Sequence, residues 1–216
     1  NRKYQKSRFF VKGDPAAILL VQFNRENAQE LERITQELIK KLKGSSLFYA
    51  APVLKNKEAD KAYELRAAGL GLLANLPGDP KAVACIEDTA VRINDLPNYI
   101  DEFEELMKSF GQQSVFYAHA GAGEIHLRPI LNLKNAEDVQ AFHDITLAVA
   151  KLVKKYKGSM SGEHGDGRVR AEFIPLIIGE KNHKLLEKIK TIWDPANVFN
   201  PGKIVHPKPM NTMLRY

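Results

Sequence analysis

A single cysteine, Cys85, occurs in the 216 residues. No disulfide can therefore form within the chain, and a reducing compartment suits it. Cys85 sits in the apolar run Ala82-Val-Ala-Cys-Ile86, which predicts a buried, inert thiol rather than a nucleophile. No apolar stretch approaches the roughly 20 residues a membrane helix needs. The first residues, Asn1-Arg-Lys-Tyr-Gln-Lys6, lack both an initiator methionine and an apolar leader, so the chain reads as a piece of something longer. A G-x-G-x-x-G pyrophosphate loop is missing, as are internal repeats and low-complexity tracts. Interleaved aromatic and basic strand positions of the RNA-recognition kind are missing too.

What is present is ordinary in bulk and particular in detail. Hydrophobic residues make up 44% and charged residues 27% of the chain, enough for a real core. The net charge is +6, much of it in Lys40–Lys43, Lys154–Lys157 and Lys184–Lys190. These clusters lie along or at the ends of amphipathic helical patterns, where cations suit the helix dipole. They read as solvated helix faces, with a docking surface for an acidic partner as the alternative.

Periodicity sets the expected elements. Ala16–Phe23 reads as a buried strand, followed by a helix over Ala28–Lys43 with apolar positions Leu31, Ile34, Leu38, Ile39 and Leu42, closed by Gly44. Leu47–Val53 reads as a second strand, Lys57–Leu73 as a helix and Asn75–Pro80 as a loop. A strand over Ala82–Val91 and a helix over Leu96–Phe110 precede a hairpin. Ala136–Tyr156 reads as a long helix capped by Asn135. Phe173–Ile178 reads as a short strand or apolar turn, and Asn182–Trp193 as the last helix. This order predicts an α+β fold: an antiparallel sheet with helices packed on one face, built from ferredoxin-like units. One domain is expected over 1–205, with 206–216 as a linker onward.

The hairpin carries the chemistry. Tyr117-Ala-His119-Ala-Gly-Ala-Gly-Glu-Ile-His126 places two histidines seven positions apart among glycines. If Ala122-Gly123 is a two-residue turn, His119 stands opposite His126, with Cβ atoms about 4.5–5.5 Å apart. Two such imidazoles can share one cation at about 2.0–2.1 Å. A second polar knot, Ser161-Gly-Glu163-His164-Gly-Asp-Gly-Arg168, supplies Glu163 as the third ligand. His164, next in sequence and expected to project elsewhere, is assigned as a base. A His₂Glu set suits a catalytic zinc site with an open position and equally an iron facial triad. The bland readings are satisfied core histidines and an ordinary Gly-Asp-Gly turn.

Five motifs in order resemble the C-terminal domain of FAD-linked oxidases, the group of D-lactate dehydrogenases, glycolate oxidase and D-2-hydroxyglutarate dehydrogenase. They are Tyr63-Glu-Leu-Arg66, Ile86-Glu-Asp-Thr-Ala-Val91, His119…His126, Gly162-Glu-His-Gly-Asp-Gly-Arg168 and Asp194-Pro…Phe199-Asn-Pro-Gly-Lys203. The resemblance implies a divalent metal (Zn, Mn or Fe) on His119, His126 and Glu163, with His164 as catalytic base. It places Arg66 near the substrate carboxylate, a role suited to a permanently charged fork, and Asn200 towards the flavin. The bland alternatives are a helix-surface arginine and a helix-terminating turn.

Departures are visible. Family hairpins often read His-x-Gly-Asp-Gly-Asn, where this chain has Ala122 and Glu124. Arg128 stands where some relatives have asparagine, and it offers a different grip on substrate. Ile86 aligns with a lysine that helps hold a second carboxylate in D-2-hydroxyglutarate dehydrogenase. The implied reaction is oxidation of a 2-hydroxy acid to the 2-oxo acid. His164 takes the hydroxyl proton while hydride passes to an FAD held by a portion preceding residue 1, so this piece alone is expected to be inactive. The ending resembles the lead into a downstream iron–sulfur region or other electron acceptor. A cytoplasmic protein, peripheral to the membrane through that acceptor, is the implied location. No nucleic-acid partner is expected. Two rivals stand beside this reading: a mononuclear iron oxygenase using the same ligands, and a non-enzymatic ferredoxin-like binding module.

Overall fold

The computed structural model describes residues 2–74, 76–112 and 114–214 and divides into two compact units, 1–72 and 73–216. The first unit is helical. A 3₁₀ segment, Arg2–Arg8, precedes α1 (Ala28–Lys43) and α2 (Lys57–Ala74), whose last residues lie past the division. Asn27 caps α1, its side chain accepting from the Gln29 and Glu30 amides, which satisfies two donors the first turn leaves open. The predicted apolar positions of α1 are half-buried and none is fully enclosed.

Two expected strands do not form. Ala16–Phe23 and Leu47–Val53 have no regular secondary structure, and Leu19 and Leu47 are 74% and 92% exposed. Apolar sequence alone does not make a strand. The backbone must find a neighbour to hydrogen-bond, and neither segment pairs with another among the described residues. Side-chain ties order the region instead: the Tyr49 hydroxyl donates to the Lys12 carbonyl (2.7 Å) and Lys55 pairs with Glu32 (2.8 Å).

The second unit is α+β. Its sheet is antiparallel and centred on β4 (Glu124–Leu131). On one side of β4 lies β3 (Ser114–His119). On the other lie β1 (Lys81–Ala82) and β2 (Ile86–Ala90), end to end. The strand expected over Ala82–Val91 is thus broken, and β2 is also bulged. Between the pairs Ile86↔Leu127 and Thr89↔Ile125, β2 advances three residues and β4 two. Asp88 absorbs the extra residue at φ 81°, a conformation that Asp tolerates better than branched residues do.

The helices follow their apolar spacing. In α3 (Leu96–Ser109), Tyr99, Phe103 and Met107 recur every fourth residue and are buried. In α4 (Ala136–Lys155), capped by Asn135 as predicted, the stripe is Phe142, Ile145, Val149 and Val153. Both stripes join Ile125, Leu127 and Leu131 in one core. Burying Phe103 contributes about 1.5–3 kcal/mol, and Phe103→Ala would cost about 3–5 kcal/mol. Cys85 is fully buried and burial pushes its thiol up to about 12, which makes it inert. The segment expected as a strand or turn near Phe173 is a 3₁₀ turn, Ala171–Phe173, followed by α5 (Ile174–Ile178). Then comes α6 (Glu180–Trp193). Among the described residues no helix is long and apolar enough to cross a membrane.

Because β4 puts Ile125 and Leu127 into the core, Glu124, His126 and Arg128 face the other side of the sheet. That face positions the site.

Candidate metal and proton-transfer centre

The hairpin register differs from expectation. His119 pairs with Glu124 and Tyr117 with His126, because the connection is longer than two residues: a 3₁₀ turn, Ala120–Ala122, then Gly123 at φ 73°. A β-carbon at Gly123 would lie 2.0 Å from the Val91 carbonyl oxygen, so only glycine lets the turn close against β2. The slip amounts to two positions, which preserves the face. His119 and His126 remain diagonal neighbours with ring centroids 5.4 Å apart.

The second knot docks onto the bulge. Asp88, fully buried, accepts from the Ser161 hydroxyl (2.6 Å) and from the backbone amides of Glu163 (2.9 Å) and His164 (2.7 Å). Its own carbonyl accepts from the Gly162 amide (2.7 Å). A β-carbon at Gly162 would come within 3.1 Å of Glu124 Cδ and 3.2 Å of Asp88 Oδ1, so a side chain there would force the loop outward. Arg170, also buried, donates to the Glu87 carbonyl and to the Gly165 carbonyl (2.5 Å), and lies 3.8 Å from Asp88.

One oxygen, Glu163 Oε1, is the hub. It lies 3.7 Å from His119 Nε2, 3.9 Å from His126 Nε2 and 3.2 Å from His164 Nε2. The expectation that His164 projects elsewhere is not met: with both amides held by Asp88, the bent loop turns the two side chains to the same side. The His164 ring stacks on His126 (centroids 5.4 Å, 20° between planes). His126 is 5% exposed, whereas the His119, Glu163 and His164 side chains are 43–48% exposed, so the cluster has a buried floor and an open mouth.

Electrostatics separate the carboxyls. Burial and the hydrogen bond and charge of Asp88 push Glu124 up to about 7. Burial also works upward on Asp88, but the hydrogen bonds from Glu124, Ser161 and the loop amides outweigh it and hold Asp88 below the usual range. Of the two, Glu124 is therefore the one that takes up a proton first as pH falls. Burial lowers His126, against the attraction of Glu87 and with the repulsion of His119 and His164, a shift towards the neutral ring that a metal ligand requires.

Of the other predicted site residues, Arg128 lies on the same face as His126, its Nη2 donating to both oxygens of Glu87 (2.6 Å each). Glu87 in turn stands 3.9 Å from His164 Nδ1. Asn200 is exposed in the turn after α6 and accepts from Lys203 Nζ (3.0 Å). Asp194 orders that turn through the Val198 and Phe199 amides (2.9 Å each), and the Ile204 amide donates to the Gly167 carbonyl (3.3 Å). Arg66 is half-buried on α2, in the first unit. Glu87, Asp88, Glu124 and Arg170 were not singled out as functional from the sequence. The available signal was the charged pair Glu87-Asp88 inside an apolar strand, which is expensive unless something satisfies it.

The donor set fits a divalent cation. Two bonds of about 2.1 Å span at most about 4.2 Å. The histidine-to-Glu163 separations of 3.7 and 3.9 Å fall within that reach, and the ligand atoms of His119, His126 and Glu163 all lie within 4.8 Å of one another.

D-2-hydroxyglutarate dehydrogenase of Pseudomonas putida is 37% identical over 147 residues, 68% of this chain and 14% of that protein. D-lactate dehydrogenase of Archaeoglobus fulgidus is 28% identical over 203 residues, 94% of this chain and 42% of that protein. The chain thus spans less than half the length of both relatives. Among solved structures, 4-ethylphenol oxidase from Gulosibacter chungangensis in its isoeugenol complex aligns with TM-score 0.49 and 16% identity, over 80% of this chain and 37% of that one. The family described as FAD linked oxidases, C-terminal domain, matches residues 3–204, and the chain belongs to that family.

Proposed function

We propose that this chain is the substrate- and metal-binding part of a flavin-dependent dehydrogenase that oxidises a 2-hydroxy acid to the 2-oxo acid. One observation carries the reading: three imidazoles converge on a single carboxylate oxygen at the open mouth of a buried polar floor, in a member of the FAD-linked oxidase family. His119, His126 and Glu163 hold a divalent cation, which when bound lowers the pKa of a coordinated hydroxyl. An FAD held by another portion of the polypeptide would supply the hydride acceptor.

This chain's residues bind and orient the substrate and move its proton. His164 Nε2 is the proton acceptor for the substrate hydroxyl. His164 sits in the mouth with half its side chain exposed, and its ring stacks on His126. Asp88 holds the His164 amide and Glu87 faces its far nitrogen, so the ring's approach is set from behind. Arg128, steadied by Glu87, presents positive charge on the substrate side. The assignments of Arg66 to the substrate carboxylate and Asn200 to the flavin rest on the sequence resemblance alone. So do a downstream iron–sulfur region or other electron acceptor, and a cytoplasmic location peripheral to the membrane.

His164→Ala in the intact flavoprotein tests the reading. Turnover should fall by about 10²–10⁴-fold with flavin content and metal content unchanged. Wild-type turnover in that variant would eliminate the base.

A further inference from the structure

We propose that Glu124 is a further ligand of the cation at this centre, giving a donor set of two imidazoles and two carboxylates. The inference deepens the metal-centre reading above and rests on it. The observation is an orphan: Glu124 Oε1 is buried and has no hydrogen-bond partner among the described residues, in a side chain 7% exposed. An unpartnered buried carboxylate oxygen is costly. It points at the centre, 3.9 Å from His126 Nε2, the same distance at which Glu163 Oε1 stands from that nitrogen. Each oxygen, taken by itself, is therefore within reach of an ion bonded to His126 Nε2 at about 2.1 Å, since two such bonds span up to about 4.2 Å; closing both onto one ion requires the half-exposed Glu163 side chain to shift towards Glu124.

The surrounding groups support this. Asp88, Glu124 and His126 form a second set of donor atoms within 4.8 Å of one another, all buried, and they share His126 with the first set. Asp88 is already engaged by Ser161, Glu163 and His164, which leaves Glu124 as the member with an uncommitted oxygen. The position follows from the hairpin register: Glu124 stands opposite His119 and on the face of His126. A second carboxylate makes the set oxygen-rich, which shifts preference towards Mn²⁺ relative to a three-ligand site.

Calorimetric titration of Mn²⁺ and of Zn²⁺ into the intact, chelator-stripped protein tests the idea in wild type, Glu124→Gln and Glu163→Gln. Glutamine keeps the length and an N–H for Asp88, so the loop stays supported, but it is a poor ligand. Mn²⁺ affinity in Glu124→Gln is expected to fall by more than the roughly 10–100-fold that loss of an outer-shell partner costs, and Zn²⁺ affinity by less. Wild-type Mn²⁺ affinity in Glu124→Gln overturns the inference and leaves Glu124 as a hydrogen-bond partner of Asp88 only. Loss in Glu124→Gln with none in Glu163→Gln upholds Glu124 and removes Glu163 from the ligand set. A wild-type protein that binds neither ion removes the metal centre and this inference together. Should Glu124→Gln melt below the assay temperature, Glu124→Ala with added formate gives the same reading. Restored Mn²⁺ affinity supports a ligand role, and none opposes it.

Discussion

His143 and His126 belong to the same unit and both face carboxylates, yet they are opposite in character. His143 uses both ring nitrogens, Nδ1 at 3.1 Å from Asp144 and Nε2 at 2.9 Å from Glu172. The hydrogen bond to Asp144, with the charge of Glu172, raises its pKa against the effect of burial. Glu172 also accepts from the Met210 amide (2.5 Å), so this cluster ties α4 to the C-terminal segment. His126 has a buried Nδ1 without a partner among the described residues, its Nε2 has only carboxylates at 3.9 Å, and burial lowers its pKa. One histidine is complete and the other lacks something. A histidine beside acids is thus structural when its polar atoms are satisfied, and a candidate ligand when they are not.

The largest effect that would break this comparison is on metal binding. His126→Ala should lose more than the 10–100-fold in Mn²⁺ or Zn²⁺ affinity that outer-shell changes cost, whereas His143→Ala should lose none. A loss in both, measured by calorimetry, would show that the distinction is false.

Asp88→Ala comes next. It strips the acceptor from two loop amides and the Ser161 hydroxyl, and urea unfolding should register a loss of about 3 kcal/mol. Asp88→Asn, which tolerates positive φ and keeps one acceptor oxygen, should lose less.

The smallest effect sharpens the comparison through pH. A raised pKa gives His143 a contribution that is whole below its unfolded value of 6.5 and is lost as pH rises through the higher folded value. Wild type should therefore lose roughly 0.2–1 kcal/mol relative to His143→Gln on that rise. His126 has the opposite sign: in metal-free protein its lowered pKa costs stability as pH falls below 6.5. Parallel slopes for His126→Gln and His143→Gln, each measured against wild type, would contradict both assignments.

Much of the second unit was legible from spacing. The stripes of α3 and α4, the Asn135 cap and the hairpin follow from local patterns that tertiary contacts reinforce. Ala16–Phe23 and Leu47–Val53 were misread because hydrophobicity signals burial, while strand formation needs a partner backbone. The hairpin register was read two positions off because the Gly123 turn is shaped by the Val91 carbonyl, a contact between residues distant in sequence.

The residue types by themselves determined which donor atoms are on offer: His119, His126, Glu163 and His164 are candidates because of what imidazoles and carboxylates among glycines are able to do. Tertiary structure alone decided which polar groups support them. Asp88 and Arg170 are separated along the chain, and only the bulge in β2 and the docking of the 161–170 loop bring them beneath the centre. Glu124 lies next to the histidines in sequence, but the burial that makes its oxygen costly exists only once the sheet and loop have closed over it. Desolvation is a property of the enclosure and no local pattern encodes it.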